Sequence, residues 1–266
     1  MNDLLPTSWQ PLLTTRMLGR AGNCVAHELP STNTVLKDLA RKGTPTGAVC
    51  LCETQSAGRG RLDRSWSSPE GRGVWMSVLL RPALSPERMP LVTFCAALAM
   101  ADAVRSLTGL DARIKWPNDV LLDGRKVCGV LLEAGFDASG AMFVIVGTGL
   151  NVRRGAYPPE LADRAVSLEE LCDPPSRSAL IAAYLNALEA AVEAVEREGL
   201  PGIAAQYREL SCTLGSQVHV LSPAETFTGT ALDIDEGGAL LVRTEDGETR
   251  RVLAGDVSVR GMMGYA

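Results

Sequence analysis

The chain has 266 residues, of which 46% are hydrophobic and 21% charged, and a formal net charge of −5 at pH 7. This composition is that of an ordinary soluble globular protein and excludes disorder on a large scale. The acidic balance also argues against general binding to nucleic acid or to an anionic membrane, for which a basic surface is expected.

The N-terminus has neither the positive start nor the apolar run of a secretory signal, and Pro6 and Pro11 interrupt it. No segment reaches the ~18 uninterrupted apolar residues of a membrane span. Seven cysteines, an odd number, fit reduced intracellular thiols better than a disulfide framework. His27 and His219 without a Cys-x-x-Cys pair argue against a structural zinc site. We therefore expect a cytoplasmic protein that is not associated with a membrane.

Helices and strands alternate in the first part of the chain, and they are predicted over residues 33–41 (helix), 48–52 and 74–80 (strands) and 91–107 (helix). Ser31 and Thr32 read as the cap of the first helix and Gly43 as its stop. Strands are then predicted over residues 113–116, 119–122, 126–133 and 142–146, and helices over 181–195 and 203–210. Asp123-Gly124 predicts a hairpin turn, and glycines 147 and 149 are expected to end the last of these strands.

From Thr213 onward the pattern changes to short alternating strands with turn signals at residues 235–238 and 246–247. Interleaved helices and strands followed by a β-only tail predict an α+β fold with an appended small β-barrel. We predict two domains, 1–210 and 211–266.

Residues 57–66, Ala-Gly-Arg-Gly-Arg-Leu-Asp-Arg-Ser-Trp, place three arginines and two glycines in one short loop. Glycine lets the backbone approach a ligand closely, and guanidinium groups match carboxylate or phosphate oxygens. A solvated surface turn is the plain alternative, but Trp66 favours a site because its ring can stack on a base. Position 63 is Asp, so the dinucleotide fingerprint G-x-G-x-x-G fails, and no Walker A motif is present.

The chain has few lysines, and two of them, Lys115 and Lys126, flank one predicted hairpin that contains Trp-Pro-Asn-Asp. Lysine is a compact charge that can follow a moving phosphoryl or carboxylate oxygen. The alternative is a pair of edge lysines that protect the sheet from aggregation. Two further motifs, Ser31-Thr32-Asn33 and Gly147-x-Gly149-x-Asn151, have equally plain explanations as a helix cap and a turn.

Taken in order, the motifs S-T-N, Q-S-A-G-R-G-R-x-x-R-x-W, K-W-P-N-D-V, K-x-x-G-V-L-x-E and G-x-G-x-N resemble those of the biotin protein ligases. The resemblance runs from Ser31 to Asn151. It implies a mixed sheet with flanking helices, of the class II synthetase type, and an SH3-like C-terminal barrel. It also implies a ligase that converts biotin and ATP, with Mg²⁺, into biotinyl-5′-adenylate and transfers biotin to a lysine of a biotin carboxyl carrier domain. A homodimer is compatible with it.

The resemblance carries over residue by residue. Lys115 and Arg61 are the expected catalytic residues. The expected biotin contacts are Ser31, Thr32, Asn33, Gln55, Gly58, Arg59, Gly60, Arg61, Lys115, Gly147 and Gly149. Of these, Ser31, Thr32 and Gln55 are expected to bind the ureido ring. The expected ATP or adenylate contacts are Arg61, Arg64, Trp66, Asn118, Lys126 and Asn151. The arginine loop is then expected to act as a lid.

Two departures from the family pattern stand out. Asp63 occupies a position where the family often has glycine, so we expect this lid to be less flexible and to carry a negative charge beside its arginines. Only 30 residues precede Ser31, too few for a helix-turn-helix domain with its linker, so we expect a ligase without repressor activity.

Two rival functions remain open at this point. A lipoate or octanoate ligase or transferase of related fold also ends on a carrier lysine, but its apolar substrate has no ureido group to satisfy. A nucleic-acid-binding module could use the arginine loop and the terminal barrel, although the acidic balance counts against it.

Overall fold

A computed structural model describes residues 2–61, 64–221 and 226–253, and the backbone of 258–261. The helices are α1 (Pro6–Trp9), α2 (Thr32–Arg41), α3 (Leu91–Thr108), α4 (Arg177–Glu198) and α5 (Pro201–Leu210). The first seven strands are β1 (Cys24–Leu29), β2 (Val49–Gln55), β3 (Gly73–Leu80), β4 (Arg113–Lys115), β5 (Asp119–Leu122), β6 (Arg125–Phe136) and β7 (Met142–Asn151). The last five are β8 (Gln217–Leu221), β9 (Thr226–Ile234), β10 (Leu240–Thr244), β11 (Thr249–Val252) and β12 (Ser258–Gly261). Asp63 lies outside the described residues.

The first seven strands form one mixed sheet in the order β1-β2-β3-β7-β6-β5-β4. β1 and β2 are parallel, and α2 is the crossover that a parallel pair requires. All the other neighbours are antiparallel. The predicted turn between β5 and β6 is confirmed, because Asp123 and Gly124 both have positive φ values, 49° and 74°, as the favoured two-residue hairpin requires.

Helices cover both faces of this sheet. Along β7, Val144 and Val146 belong to the large core that contains α3 and α4. Phe143 and Ile145 alternate with them and belong to a smaller core that contains α2. This period of two is the side-chain alternation of a β-strand, and it gives the sheet an α2 face on which the polar motifs collect.

The C-terminal strands form a separate five-stranded antiparallel sheet in the order β11-β10-β9-β8-β12. The predicted mixed sheet with flanking helices and a small β-rich tail is thus confirmed. α5 ends at Leu210 and β8 begins at Gln217, so the predicted boundary falls in the connecting segment. Buried side chains of the tail, such as Val220 and Leu240, nevertheless belong to the same core cluster as α3. The division into two domains stays a prediction.

Two helices, α3 and α4, are long and apolar enough to cross a membrane by length and composition alone. In the structure 67% of the apolar stretch of α3 and 56% of that of α4 are buried inside the protein. The two helices pack against each other and against the sheet, as core helices of soluble proteins do.

Three sequence predictions about the sheet were wrong or incomplete. β7 does not end at residue 146, because it continues through both glycines to Asn151. β6 runs beyond the predicted limit to Phe136. β1 was not predicted, since its half-buried and exposed residues show no clear alternation. It is a strand because it pairs with the buried β2.

Candidate active site

A cavity lies on the α2 face of the sheet, between the start of α2, the arginine loop (residues 57–66) and the hairpin of β5 and β6. It contains ≈ 480 Å³ of empty space, part of which is open to solvent. It brings together most of the predicted site residues, namely Ser31, Thr32, Asn33, Gln55, Arg59, Gly60, Arg61, Trp66, Asn118, Lys126, Gly147 and Gly149. Lining residues that the sequence analysis missed are Met76, Gly129, Val130, Leu131 and Thr148.

Glycines within the strands form the floor of the cavity. Gly129 of β6 pairs directly with Gly149 of β7. A Cβ atom on Gly147 would lie 2.2 Å from Asn33 Oδ1, and one on Gly149 would lie 2.5 Å from Trp66 Nε1. These positions therefore exclude any side chain, because Asn33 and Trp66 occupy that space. The alternative of a plain turn is wrong.

One end of the cavity is polar and uncharged. The backbone N–H of Thr32 donates to Gln55 Oε1 at 2.8 Å, and the Thr32 hydroxyl lies 3.2 Å from the same oxygen. Gln55 Nε2 donates to Ser68 Oγ at 2.8 Å. The buried Ser77 hydroxyl lies 2.7 Å from Thr32 Oγ1 and donates to Asn33 Oδ1 at 2.5 Å. This network fixes which donors and acceptors face the cavity.

Ser31 occupies the N-cap position of α2, but its side chain makes no capping hydrogen bond. It is 4% exposed and lines the cavity instead. The helix-cap interpretation therefore holds for the backbone and fails for the hydroxyl group. A buried hydroxyl that does not cap its own helix remains able to bind a ligand.

Backbone hydrogen bonds join the two ends of the arginine loop. The N–H of Trp66 donates to the Gly58 carbonyl at 2.9 Å, and the N–H of Gly60 donates to the Arg64 carbonyl at 2.6 Å. A Cβ on Gly58 would lie 2.3 Å from the carbonyl oxygen of Trp66. Gly58 thus serves the close approach of the two limbs, and neither Gly58 nor the exposed Arg64 lines the cavity. The effect expected of Asp63 on this loop falls outside the described residues.

Arg61 points from this loop towards the hairpin of β5 and β6. Its Nη1 donates to Asn118 Oδ1 at 3.0 Å, and Asn118 Nδ2 donates to the Val130 carbonyl at 2.8 Å. Burial lowers the pKa of Arg61, and the positive charge of Arg64 adds to this effect while Asp119 opposes it. Arg61 Nη2 is buried and has no hydrogen-bond partner among residues 2–61, 64–221 and 226–253.

Lys126, at the start of β6, lines the cavity. Its Nζ lies 2.6 Å from Asp119 Oδ1 and 4.9 Å from the centre of the Trp66 ring. Trp66 Nε1 is buried and finds no hydrogen-bond partner within the described part of the chain. Lys126, Trp66 and Arg61 together make this end of the cavity cationic and aromatic.

Lys115 and Asn151 do not line the cavity. Lys115 is buried, 8% exposed, at the end of β4, opposite Asp119 in the strand register. The alternative of an exposed edge lysine is therefore wrong for Lys115. The Asn151 amide donates to the Val166 carbonyl at 3.2 Å and so holds the segment that follows β7. The motifs identified both positions, but the spacing of residues did not indicate where the side chains point.

Residues that could hold a metal ion by themselves are not clustered. Among the described residues there is no group of three or more His, Cys, Asp and Glu side chains placed to bind one ion. Two described carboxylates contact cavity-lining residues: Asp119 pairs with Lys126, and Glu133 accepts hydrogen bonds from Asn33 and Arg59. Glu133 is the last residue of the motif K-x-x-G-V-L-x-E, and the resemblance assigns it no role.

Family models match both parts of the chain. The Biotin/lipoate A/B protein ligase family matches residues 25–151, and the Biotin protein ligase C terminal domain matches residues 213–260.

Relatives are found over most of the chain. The chain is 32% identical over 251 residues to the bifunctional ligase/repressor BirA of Bacillus subtilis, covering 93% of this chain and 76% of the relative. It is 36% identical over 240 residues to the biotin–[acetyl-CoA-carboxylase] ligase of Mycobacterium tuberculosis, covering 88% and 87%. The solved structure of a biotin protein ligase from Aquifex aeolicus in complex with biotin and ATP superposes with a TM-score of 0.79 at 28% identity. That superposition covers 90% of this chain and 99% of the other.

Proposed function

The chain belongs to the biotin protein ligase family, and from this premise we propose that its cavity activates biotin and delivers it to a carrier lysine. In the first step a biotin carboxylate oxygen attacks the α-phosphorus of ATP, forming biotinyl-5′-adenylate and releasing pyrophosphate. In the second step the ε-amine of the lysine attacks the acyl carbon. An amide forms as the attacking nitrogen loses a proton to solvent, and AMP leaves with the electrons of the broken anhydride bond.

The observation that carries this proposal is the buried Nη2 of Arg61, for which no residue that the structure describes supplies a hydrogen-bond partner. A buried donor without an acceptor costs about 1–3 kcal/mol, and a guanidinium group is suited to an anionic oxygen. An adenylate phosphate, or the carboxylate that becomes part of the anhydride, would supply that acceptor. Asn118 Oδ1 accepts a hydrogen bond from Arg61 Nη1 and so keeps the guanidinium group oriented towards the cavity.

The uncharged end of the cavity suits the ureido ring of biotin. Ser31, Thr32 and Gln55 offer both donors and acceptors there, and a ureido group needs both. A site built around such polar groups rejects analogues that lack them by up to ~10⁴–10⁵-fold. This feature favours biotin over octanoate and over lipoate, which the matching family model also includes in its name.

Lys126, rather than Lys115, is the cation that we place beside the reacting phosphate. It lines the same cavity as Arg61, and Asp119 holds its ammonium group. Lys126 and Arg61 on either side would screen the repulsion between carboxylate and phosphate and stabilise the charge that grows on the oxygens. Lys115 then supports the hairpin from the neighbouring strand.

Trp66 is the residue that we assign to the nucleotide base. Its ring lies beside the floor glycines and close to Lys126, and its buried indole N–H has no acceptor among the residues that the structure describes. Aromatic faces stack on bases of any sequence. The arginine loop would cover the intermediate, because a mixed anhydride exposed to water hydrolyses.

The residues fit a Mg²⁺ ion that arrives with ATP. Mg²⁺ is usually held by substrate phosphates, waters and one or two carboxylates, and the described residues offer single carboxylates such as Asp119 and no three-residue cluster. When bound, the ion would neutralise the pyrophosphate that leaves. Arg61 and Lys126 act on the α-phosphate side.

The family implies a biotin-carrying carboxylase domain as the acceptor. The relative from Mycobacterium tuberculosis is named for the acetyl-CoA carboxylase, and we propose a carboxylase of this kind as the partner here. We also propose that the reaction takes place in the cytoplasm. Whether two copies of the chain associate is a separate question that gel filtration answers.

A pyrophosphate exchange assay tests the proposed function. Purified protein is incubated with MgATP, labelled pyrophosphate and either biotin or lipoate, and incorporation of label into ATP is measured. We expect exchange with biotin and none with lipoate. Exchange that depends on lipoate and not on biotin would overturn the assignment. Adding a carrier domain and measuring its intact mass tests the second step, since one biotinyl group should appear on the acceptor lysine.

A further inference from the structure

Glu133 joins the polar end of the cavity to the arginine loop. It lies on β6 opposite Ile145 of β7, on the α2 face, and its side chain is 18% exposed. Its Oε2 accepts a hydrogen bond from Asn33 Nδ2 at 2.8 Å and another from Arg59 Nη2 at 2.6 Å. One carboxylate oxygen therefore touches both the first turn of α2 and the loop that closes over the cavity.

The contact to Asn33 fixes how its amide is oriented. Asn33 Nδ2 is committed to Glu133, and Asn33 Oδ1 accepts from Ser77 at 2.5 Å. Ser77 in turn contacts Thr32, whose backbone binds Gln55. A continuous chain of hydrogen bonds thus runs from Gln55 through Thr32 and Asn33 to Glu133.

Glu133 binds Arg59, a residue that the family resemblance assigns to biotin binding. Arg59 lines the cavity with its side chain 44% exposed, but its Nη2 is bound to Glu133. Lys37 is a second cation near this carboxylate, with its Nζ 3.6 Å from Oε1. A charge-assisted bond of this kind is shorter and stronger than a neutral one.

We infer that Glu133 is a positioning residue that latches the arginine loop through Arg59 to the polar network around Asn33. Holding the loop closed should slow the release of biotinyl-adenylate before transfer. The inference rests on the proposed function, because it uses that intermediate as the probe. Glu133 does not itself line the cavity, so it acts through Arg59 and Asn33.

The test measures the rate at which preformed biotinyl-adenylate leaves the protein after rapid dilution. We expect Glu133→Ala to raise this rate about tenfold, which is the effect of one partly exposed charge-assisted hydrogen bond. Arg59→Ala should raise it similarly. In the double variant the rate should not exceed that of the faster single variant by more than about twofold, because both changes break the same contact.

Two control variants separate a latch from general destabilisation. Lys37→Ala removes the more distant cation and leaves both Oε2 contacts in place, so the release rate should stay within about twofold of wild type. Asp137→Asn perturbs the turn after β6, where Asp137 pairs with Arg81, and should likewise leave the release rate unchanged. If Glu133→Ala does not fold, Glu133→Gln replaces it and should raise the release rate at least about threefold.

Several outcomes would overturn the inference. Release from Glu133→Ala, or from Glu133→Gln in its place, at the wild-type rate would show that the contact does not hold the loop. Multiplicative effects of Glu133→Ala and Arg59→Ala in the double variant would show that the two residues act separately. If the wild-type protein forms no biotinyl-adenylate at all, the proposed function fails, and that failure is distinct from these.

Discussion

At the scale of single residues, the site assigns different tasks to side chains of the same type. Arg61 Nη2 is buried without a hydrogen-bond partner in the described part of the chain, whereas Arg59 Nη2 is bound to Glu133. Lys126 lines the cavity, whereas Lys115 lies buried beside it. The functions that we propose for these residues follow from which of their atoms already have partners.

The two lysines give a direct prediction. Lys126→Ala should slow formation of biotinyl-adenylate by about 10²–10³-fold, because one preorganised charge is lost from the transition state. Lys115→Ala removes the same charge from the adjacent strand and should slow it by less than about tenfold. Rapid-quench measurement of pyrophosphate release compares them. If Lys115→Ala lost more of the rate than Lys126→Ala, Lys115 would be the catalytic lysine, as the motifs imply, and our assignment of Lys126 would be wrong.

Much of the site was predictable from residue types, and the direction of each side chain was not. Ser31, Thr32 and Gln55 line the cavity as the motifs imply. Gly58 and Asn151 belong to the same motifs, yet their contacts are internal to the protein. Sequence shows which residue types occur together. Which neighbour each one contacts depends on pairing between strands that are far apart in the chain.

At the scale of elements, long periodic segments were predictable and tertiary contacts decided the rest. The predicted helix over 91–107 corresponds to α3. The glycines of β7 argued for a turn because glycine weakens strands. They stay within the strand because its backbone pairs along its whole length with β6 and β3, and because only glycine leaves room for Asn33 and Trp66.

The hairpin of β4 and β5 depends on the C-terminal sheet for its support. The indole N–H of Trp116 donates to the Gly238 carbonyl at 3.1 Å, and its backbone N–H donates to Thr213 Oγ1 at 2.9 Å. Asn118 follows two residues later and orients Arg61. The tail thus reaches the site through this hairpin.

Trp116→Phe tests this dependence. The change keeps an aromatic ring but leaves the Gly238 carbonyl buried without its donor, which should cost about 1–3 kcal/mol in the free energy of unfolding. We also expect a severalfold rise in the KM for ATP. Trp9→Phe is the matched control, because the Trp9 indole binds a local carbonyl, that of Leu4, at 2.9 Å. It should destabilise similarly without altering KM. If Trp116→Phe and Trp9→Phe had the same KM for ATP, Trp116 would have only a structural role.

At the scale of the whole molecule, the order of elements predicted an α+β fold with a β-rich tail, and the structure confirms it. The continuity of the core was not predictable, since residues of the tail join the same apolar cluster as α3. The N-terminal segment is also tied into the structure. Arg177 of α4 binds Asp3, at 2.6 Å, and the buried Glu53 of β2, at 2.7 Å.

This ion cluster predicts how stability depends on pH. Burial is the largest single influence on Glu53 and raises its pKa, but the hydrogen bonds and positive charges of Arg177 and of the N-terminal amine together outweigh burial and lower the pKa to about 2. A depressed carboxyl pKa stabilises the fold above the unfolded value, near 4.5, and the contribution is lost as pH falls towards 2. Glu53→Gln should therefore cost about 3 kcal/mol at neutral pH, because a buried pair is broken.

Urea unfolding from pH 7 to pH 2 checks this prediction. The difference in unfolding free energy between wild type and Glu53→Gln should shrink as pH falls below about 4.5. Glu193→Gln is the control, because its pair with Arg16 is exposed and should contribute about 0–1 kcal/mol. A difference between wild type and Glu53→Gln that does not change with pH would contradict the prediction.

The most direct measurement for the whole account is a crystal structure with a non-hydrolysable analogue of biotinyl-5′-adenylate. We predict the ureido ring among Ser31, Thr32 and Gln55, and the phosphate within hydrogen-bond distance of Arg61 Nη2 and near Lys126 Nζ. An analogue bound outside this cavity, or one whose phosphate leaves Arg61 Nη2 without a partner, would contradict the account.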